Sequence, residues 1–490
     1  MSWRRKEHGM CENETIAAIS TAFGEGGIGI VRISGAEALH VLQKIFVPAG
    51  TGNVSSAGVS SAEHASDCGD NATAFQPVSR MMYYGMIMDP ADRHKVDEVM
   101  AVYMKAPHTY TREDVVEIDS HGSMVSLRKI LSLCYQYGAS PAARGEFTKR
   151  AFLNGRLDLS QAESVMDLIR AKTDATFDVA LEQLQGRLSD EIRTMRQNLM
   201  DLLVDMTVNI DYPDEDIEEI IYERMQAQLD DVKKSVDRLL ASSDTGRIIR
   251  DGLRVAIIGR PNVGKSSLMN ALLGENRAIV TDVPGTTRDT IEESLSIHGI
   301  PVRLTDTAGI RETEDTIEKI GIERSKDSFN QSDLIVLMVD GSVPLTKEDH
   351  FLLDRCRGRK AMVLINKKDE GIFVSEEEIG SLLPDAVILR TSMKEQVSID
   401  AIENEVTAMV HCGGVVQQDS TIVTNARHEQ LLRDASHALA DAMDAAAGGE
   451  PLELIEIDVH EGYDRLGEIL GESVSDDIIQ EVFSRFCLGK

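Results

Sequence analysis

The sequence predicts a multidomain protein of the α/β and α classes: an N-terminal α+β domain, a helical bundle interrupted in sequence, and a P-loop α/β domain inserted into that bundle. Three observations predict it. A length of 490 residues corresponds to about three domains. The stretch GRPNVGKSS at 259–267 follows the strand-like LRVAII and opens a helix-like run. Apolar residues at helical spacing lie on both sides of the block that this motif begins.

The first element pair comes from residues 15–35, TIAAISTAFGEGGIGIVRISG. Gly24–Gly29 matches GxGxxG, but a dinucleotide turn must lead into a helix, and Ile30–Ser34 has a strand pattern. The segment is therefore expected to be a hairpin. Residues 49–77 are small, polar and glycine-rich, as in a surface loop or insertion. Strand-like runs return near 81–88 and 97–104, Met124–Tyr137 has helical spacing, and residues 1–155 are expected to form one α+β domain.

Helical periodicity then takes over. Ala162, Val165, Met166 and Ile169, followed by Leu181, Leu184, Leu188, Ile192, Met195, Leu199 and Leu202, mark long amphipathic helices, with another over about 215–240. Residues 156–251 are assigned to the first part of the helical domain, 252–412 to the P-loop domain, and 413–490 to the second helical part.

Composition narrows the function classes. A hydrophobic share of 42% with 27% charged residues is ordinary globular material. The net charge of −31 disfavours wholesale nucleic-acid binding, which depends on phosphate contacts. One local basic patch is a candidate exception, Arg144–Arg150 (RGEFTKR) with Arg156. The six cysteines show neither CxxC pairs nor zinc spacing, which suits a reducing cytosol. The N-terminal MSWRRKEHGMCENET has no apolar core of a secretory signal, and apolar runs such as Leu334–Val339 are too short for a membrane span. A cytoplasmic protein without a membrane partner is expected.

The P-loop pattern GxxxxGK[ST] is met by Gly259, Gly264, Lys265 and Ser266. Its backbone N–H groups can wrap phosphates, Lys265 can neutralise β/γ charge, and Ser266 offers a hydroxyl to Mg²⁺. The loop Asn262, Val263, Gly264, Lys265, Ser266 and Ser267 is thus expected to hold the nucleotide phosphates. The base is read elsewhere. Asn366-Lys367-Lys368-Asp369 ends a strand, and its terminal carboxylate can accept from guanine N1–H and N2–H₂, a donor pair that adenine lacks. Asp306, Thr307, Ala308 and Gly309 follow another strand, where the acid can hold Mg²⁺ through water and Gly309 can sense the γ-phosphate. Between the P-loop and Asp306 lies Thr281, Asp282, Val283, Pro284, Gly285, Thr286, Thr287, with a threonine that can reach the metal. Four motifs in this order predict a GTP hydrolase. Many GTPases place a glutamine directly after the DxxG glycine to orient the attacking water; here that position is Ile310.

The chain resembles the MnmE (TrmE) family of tRNA-modification GTPases over nearly its whole length. The resemblance rests on GRPNVGKSSLMNAL, TDVPGTTRD and DTAGIRE, and more specifically on IGIVRISG, REDVVEI-x-x-HG, GEFTKRAFLNGRLDLSQAE and the terminal FCLGK. It implies an N-terminal folate-binding domain that forms a homodimer, a discontinuous helical domain and an inserted G domain. It also implies a heterotetramer with an FAD-dependent MnmG (GidA) protein. That complex would install a carboxymethylaminomethyl-type group at C5 of the wobble uridine (position 34) of certain tRNAs. A tetrahydrofolate derivative, in its 5-formyl or methylene form, would supply the carbon.

By the same resemblance, Asn262 and the Thr281, Val283 and Thr286 positions would hold K⁺, Ser266 and Thr287 would hold Mg²⁺, and Glu318 would position the catalytic water. Arg32, Glu117, Arg156 and Lys490 would bind folate, and Cys487 would stand beside the one-carbon chemistry. Ser392 belongs to the guanine-stacking loop. The chain departs from the family pattern with Arg156 for lysine, Ser392-Met-Lys394 for Ser-Ala-x, and His121-Gly-Ser123 for His-Gly-Gly. Two rivals share the nucleotide motifs: a ribosome-assembly or translation-factor GTPase that binds RNA without modifying it, and a folate-binding regulator with GTP as a switch.

Overall fold

A computed structural model describes residues 14–22, 24–49, 75–211, 218–274, 292–306, 329–411 and 421–490. Two compact units emerge: residues 1–163 with 473–490, and residues 164–472. The final segment, assigned from sequence to the second helical part, thus groups with the N-terminal unit, because its backbone docks on the first strand and the helix at 146–153.

The first unit is built on a seven-stranded sheet in the order β3-β4-β5-β6-β2-β1-β7. The strands are β1 (Ile16–Ile19), β2 (Gly26–Ser34), β3 (Phe46–Pro48), β4 (Met82–Met88), β5 (Lys95–Met104), β6 (Val115–Gly122) and β7 (Ser140–Pro141). The glycine-rich segment is the turn of an antiparallel β1–β2 hairpin, with Ala18 opposite Arg32. No helix follows it, in keeping with rejection of a dinucleotide fingerprint. Strand alternation sends Val31, Ile33, Val116, Ile118 and Ala101 to one face, where they bury against α1 (Ala38–Ile45) and α2 (Met124–Gln136). Ser123 caps α2 by accepting from the Val125 N–H. The other face carries Arg32 and Glu117 directly opposite each other, and the short helix α3 (Glu146–Leu153) lies on this side through Phe147, which packs with Ile16 and Ala18.

The chain continues through α4 (Leu159–Arg170), α5 (Asp174–Leu184), α6 (Arg187–Asp211), α7 (Glu218–Ala241) and α8 (Ser243–Asp251). The long periodic stretch is thus three helices, broken at the Thr173 N-cap and at Gly186, whose positive φ of 97° suits glycine. Ile169, expected on a buried stripe, is 45% exposed.

Within the second unit, α6 and α7 pack with two helices from far along the chain, α13 (Ala426–Ala447) and α14 (Leu452–Leu470). Leu199, Leu229, Leu432, Leu439, Val459 and Leu466 are fully buried there. At about 25 cal/mol per Å², each such leucine contributes roughly 2 kcal/mol relative to an exposed one. Gly246 on α8 lies so close to Val423 that a Cβ would overlap its carbonyl, which fixes the close passage of the two chain segments.

Between those helical parts runs a six-stranded sheet, order β13-β12-β11-β8-β10-β9. Its strands are β8 (Leu253–Gly259), β9 (Glu292–Ile297), β10 (Ile300–Asp306), β11 (Leu334–Asp340), β12 (Ala361–Asn366) and β13 (Val387–Arg390). All pairs are parallel except β9–β10. Its central strands are apolar throughout, as expected of strands covered on both faces. The covering helices are α9 (Lys265–Leu272), α10 (Lys347–Arg355), α11 (Glu376–Leu382) and α12 (Gln396–His411). The protein is therefore a multidomain α/β and helical protein with an N-terminal domain, a helical domain and a P-loop domain. Among the described residues, no helix is long and apolar enough to cross a membrane.

Candidate functional site

Two sites take shape, one in each unit. In the second, the register aligns the ends of β8, β10, β11 and β12, so that Gly259, Asp306, Asp340 and Asn366 share the carboxyl edge of the sheet. Ligands of open parallel sheets bind in the crevice at that edge. The P-loop from Gly259 to Lys265 wraps this end and leads into α9. Gly259, Asn262 and Gly264 have positive φ values of 150°, 65° and 110°. Only small or amide residues enter such conformations without large cost.

The loop is held from three sides. Lys265 Nζ donates to the carbonyls of Gly259 (2.7 Å) and Arg260 (2.8 Å), folding the cation back over its own loop. Arg260 Nε donates to Asp349 Oδ1 at 2.9 Å, and that buried carboxylate also completes the capping box of α10. Asn366 Nδ2 donates to the Val263 carbonyl at 2.7 Å, so the base-reading strand grips the phosphate loop. A Cβ on Gly264 would overlap that same Nδ2. Among the described residues, Asn366 Oδ1 and Thr391 Oγ1 are buried without a hydrogen-bond partner, an arrangement that invites a donor from a bound ligand.

Asp369 accepts from Ser392 Oγ (2.9 Å) and Lys394 Nζ (2.6 Å). Those two bonds hold its carboxyl below the usual carboxylate range, so it is ionised and an acceptor. Ser392 is buried and Lys394 is largely exposed, so the latter can yield its place to a ligand edge. The structure thus brings together Asn262, Val263, Gly264, Lys265, Ser266, Ser267, Asn366, Lys367, Asp369 and Ser392. Lys394 was not expected from sequence to touch Asp369. Thr281 to Thr287, Thr307 to Gly309 and Glu318 lie outside the described residues, as does the Asp306 side chain.

The second site is in the first unit, on the Arg32 face of the sheet. Arg32 donates through Nε and Nη2 to Glu117 Oε1, both at 2.7 Å. Its guanidinium also lies 5.5 Å from the Tyr110 ring centre and 5.7 Å from that of Phe147. Arg156 stacks on the same Tyr110 at 4.7 Å. Tyr110, which sequence reasoning missed, therefore joins two cations that lie 124 residues apart in the chain. Only its place before the REDVVEI segment hinted at this.

The C-terminal segment closes the site. After α15 (Asp476–Ser484), Phe483 and Phe486 are buried, with Phe486 5.1 Å from Phe483. Ser20 Oγ donates to the Gly489 carbonyl at 3.0 Å, and Phe147 N–H donates to Lys490 O at 3.1 Å. Gly489, at φ 85°, has no room for a Cβ against the Ile19 carbonyl. Burial, and next the Arg32 charge, push the Lys490 ammonium below the usual lysine range, while Cys487 and Glu117 oppose that shift. Arg32, Glu117, Lys490 and Cys487 are thus one electrostatic cluster. The Cys487 thiol is exposed, whereas Cys134 and Cys356 are buried, with thiols pushed up to about 12 and about 11 by desolvation. The basic patch at 144–150 is less available than the sequence suggests: Arg150 is paired to Glu113 and Glu146.

A family model described as the MnmE helical domain matches residues 159–487, and one described as the GTP-binding protein TrmE N-terminus matches residues 15–156. A protein of Alkaliphilus metalliredigens named tRNA modification GTPase MnmE is 46% identical over 478 residues, 98% of this chain and 99% of that protein. Proteins of the same name are 47% identical in Alkaliphilus oremlandii, over 98% of this chain and 99% of the relative, and 44% in Clostridioides difficile, with the same coverage.

Proposed function

The chain belongs to the MnmE family of tRNA modification GTPases, and from that premise we propose that it is a K⁺-activated GTPase acting on the wobble uridine of certain tRNAs in the cytoplasm. In this reading it forms a homodimer through the N-terminal unit and works with an FAD-dependent MnmG-type partner to install a carboxymethylaminomethyl-type group at C5. The observation that supports this best is the pairing of two sites in one chain. One has the P-loop and the Asp369–Ser392 pair of a GTPase; the other has a cationic, aromatic cluster with an exposed thiol in its C-terminal segment. A GTPase that only binds RNA has no use for the second.

The P-loop residues fit Mg²⁺–GTP: a glycine-rich loop at positive φ, a cation, and the Ser266 hydroxyl at the start of α9. Ser266 and Thr287 would hold Mg²⁺, which would neutralise charge on the phosphates. Asn262, held at positive φ, presents its side chain at the loop where K⁺ would stabilise charge developing between the phosphates, aided by Thr281, Val283 and Thr286. Glu318 is assigned to the water, because Ile310 cannot orient it. In the first unit, Arg32, Arg156 and Lys490 suit the carboxylates of a tetrahydrofolate derivative, and Glu117 suits its ring donors. Cys487 is assigned to the one-carbon chemistry, supported by its exposed thiol.

The experiment that tests the whole reading is nucleoside analysis of tRNA from a strain lacking the gene. Loss of the C5-modified wobble uridine is expected, and an unchanged profile would favour the RNA-binding or regulatory rivals. For the cation, GTP turnover should rise about tenfold when K⁺ replaces Na⁺ at equal ionic strength, which excludes screening as the cause. Asn262→Ala should remove the difference. A wild-type rate indifferent to K⁺ counts against the cation site.

A further inference from the structure

The sheet face that carries Arg32 and Glu117 carries a second acid. Alternation along β6 places Val115, Glu117 and Asp119 on this side and Val116 and Ile118 in the core. In register, Glu117 lies between Arg32 of β2 and Val102 of β5, and Asp119 lies between Ile30 and Met100. The two acids differ in one respect. Glu117 Oε1 takes two N–H groups from Arg32. Asp119 Oδ1 is buried and, among the described residues, takes none.

Such an atom is unusual, because buried polar atoms are almost always paired within the protein or to a ligand. Its strand neighbours, Ile30 and Met100, are apolar and half-buried, so they offer it no donor. Burial raises the Asp119 carboxyl above the usual carboxylate range, and the Glu117 charge adds to the effect. An acid held in this condition weakens the free protein and gains a partner only when a donor arrives.

We propose that Asp119 is a second ligand-reading carboxylate of this site, its Oδ1 accepting a ring N–H or amino donor of the pterin of a bound tetrahydrofolate, beside Glu117. The inference rests on the folate reading given above. The aminopyrimidinone ring of a pterin carries its 2-amino group and N3–H as donors, beside an acceptor carbonyl, and the reduced ring adds N8–H as a further donor. Glu117 and Asp119 sit two residues apart on one strand face, roughly 6.6 Å along the strand at about 3.3 Å per residue, a spacing matched to a two-ring donor edge. Half-buried Ile30 and Met100 supply apolar contact for the ring face.

The test uses the full-length protein, Asp119→Leu and Asp119→Asn, with 5-formyltetrahydrofolate as the probe in titration calorimetry. Asp119→Leu is expected to bind the folate at least about tenfold more weakly than wild type, since a ligand donor loses its buried partner. Asp119→Asn, which keeps a neutral acceptor, should fall between. Thermal melting should show both variants at least as stable as wild type, because an uncompensated acid has been removed; a residue serving only the fold would give the reverse. K⁺-dependent GTP turnover should be unchanged. Wild-type affinity in Asp119→Leu, or a lowered melting temperature in both variants, overturns the role of Asp119 and leaves the folate site standing. Failure of the wild type itself to bind 5-formyltetrahydrofolate removes the folate reading and this inference together.

Discussion

Cys487→Ser is expected to abolish wobble-uridine modification while GTP turnover, nucleotide affinity and melting temperature stay near wild type. The reason lies in what the side chain touches. Cys487 is exposed, so exchange of sulfur for oxygen costs little packing, unlike a change at buried Cys134 or Cys356. What anchors the segment is independent of the thiol: the Phe483–Phe486 contact, the Ser20 bond to the Gly489 carbonyl and the Phe147 N–H bond to Lys490. Serine retains these and loses only a nucleophile. Gly489→Val makes the complementary change. It keeps the thiol but cannot adopt φ 85° against the Ile19 carbonyl, so the segment should leave its groove and modification should again be lost. Liquid chromatography of nucleosides from complemented strains reads both. A Cys487→Ser protein that still modifies tRNA, or that melts well below wild type, would remove the catalytic assignment.

For Asp369→Asn, the expected result is a fall in GTP affinity on the order of 100-fold with a gain in affinity for xanthosine triphosphate. A site built to accept two guanine donors leaves buried polar groups unpaired when one acceptor becomes a donor, and discrimination of that kind is large. Xanthine presents an acceptor where guanine carries its amino group, which restores the match. Loss of the Lys394 pair contributes little, because that side chain is largely exposed. Fluorescent-nucleotide titration measures both affinities; equal affinity for GTP in the two proteins would take Asp369 out of the base pocket.

The two sites were legible in the sequence to very different degrees. The nucleotide loop is local: Gly259, Gly264, Lys265 and Ser266 lie within eight residues, and their spacing encodes the turn directly. Asn366 and Asp369 follow from a strand end and a four-residue motif. The grip of Asn366 on Val263 does not, because it spans 103 residues. The cluster in the first unit was legible only through family resemblance. No periodicity reveals that Ser20 meets Gly489, or that Tyr110 lies beneath both Arg32 and Arg156. Alternation places Asp119 on a face but cannot say that its partner is missing. The grouping of 473–490 with the N-terminal unit was not legible either: helical periodicity over 425–486 shows a buried stripe without showing which core it enters.

The docking of residue 489 on residue 20 also sets an order in time. Residues 164–472 intervene, and at about 5–20 residues per second the ribosome needs roughly half a minute to make them. Throughout that interval the hairpin and its arginine stand complete but without the segment that finishes them. Closing so long a loop costs only slowly more entropy than closing a short one, about 0.6 kcal/mol per doubling, so the late arrival is thermodynamically mild. Kinetically it is decisive. A chain that ends just before residue 473 can carry the complete six-stranded sheet and P-loop and yet lack the segment that bonds to Ser20 and Phe147.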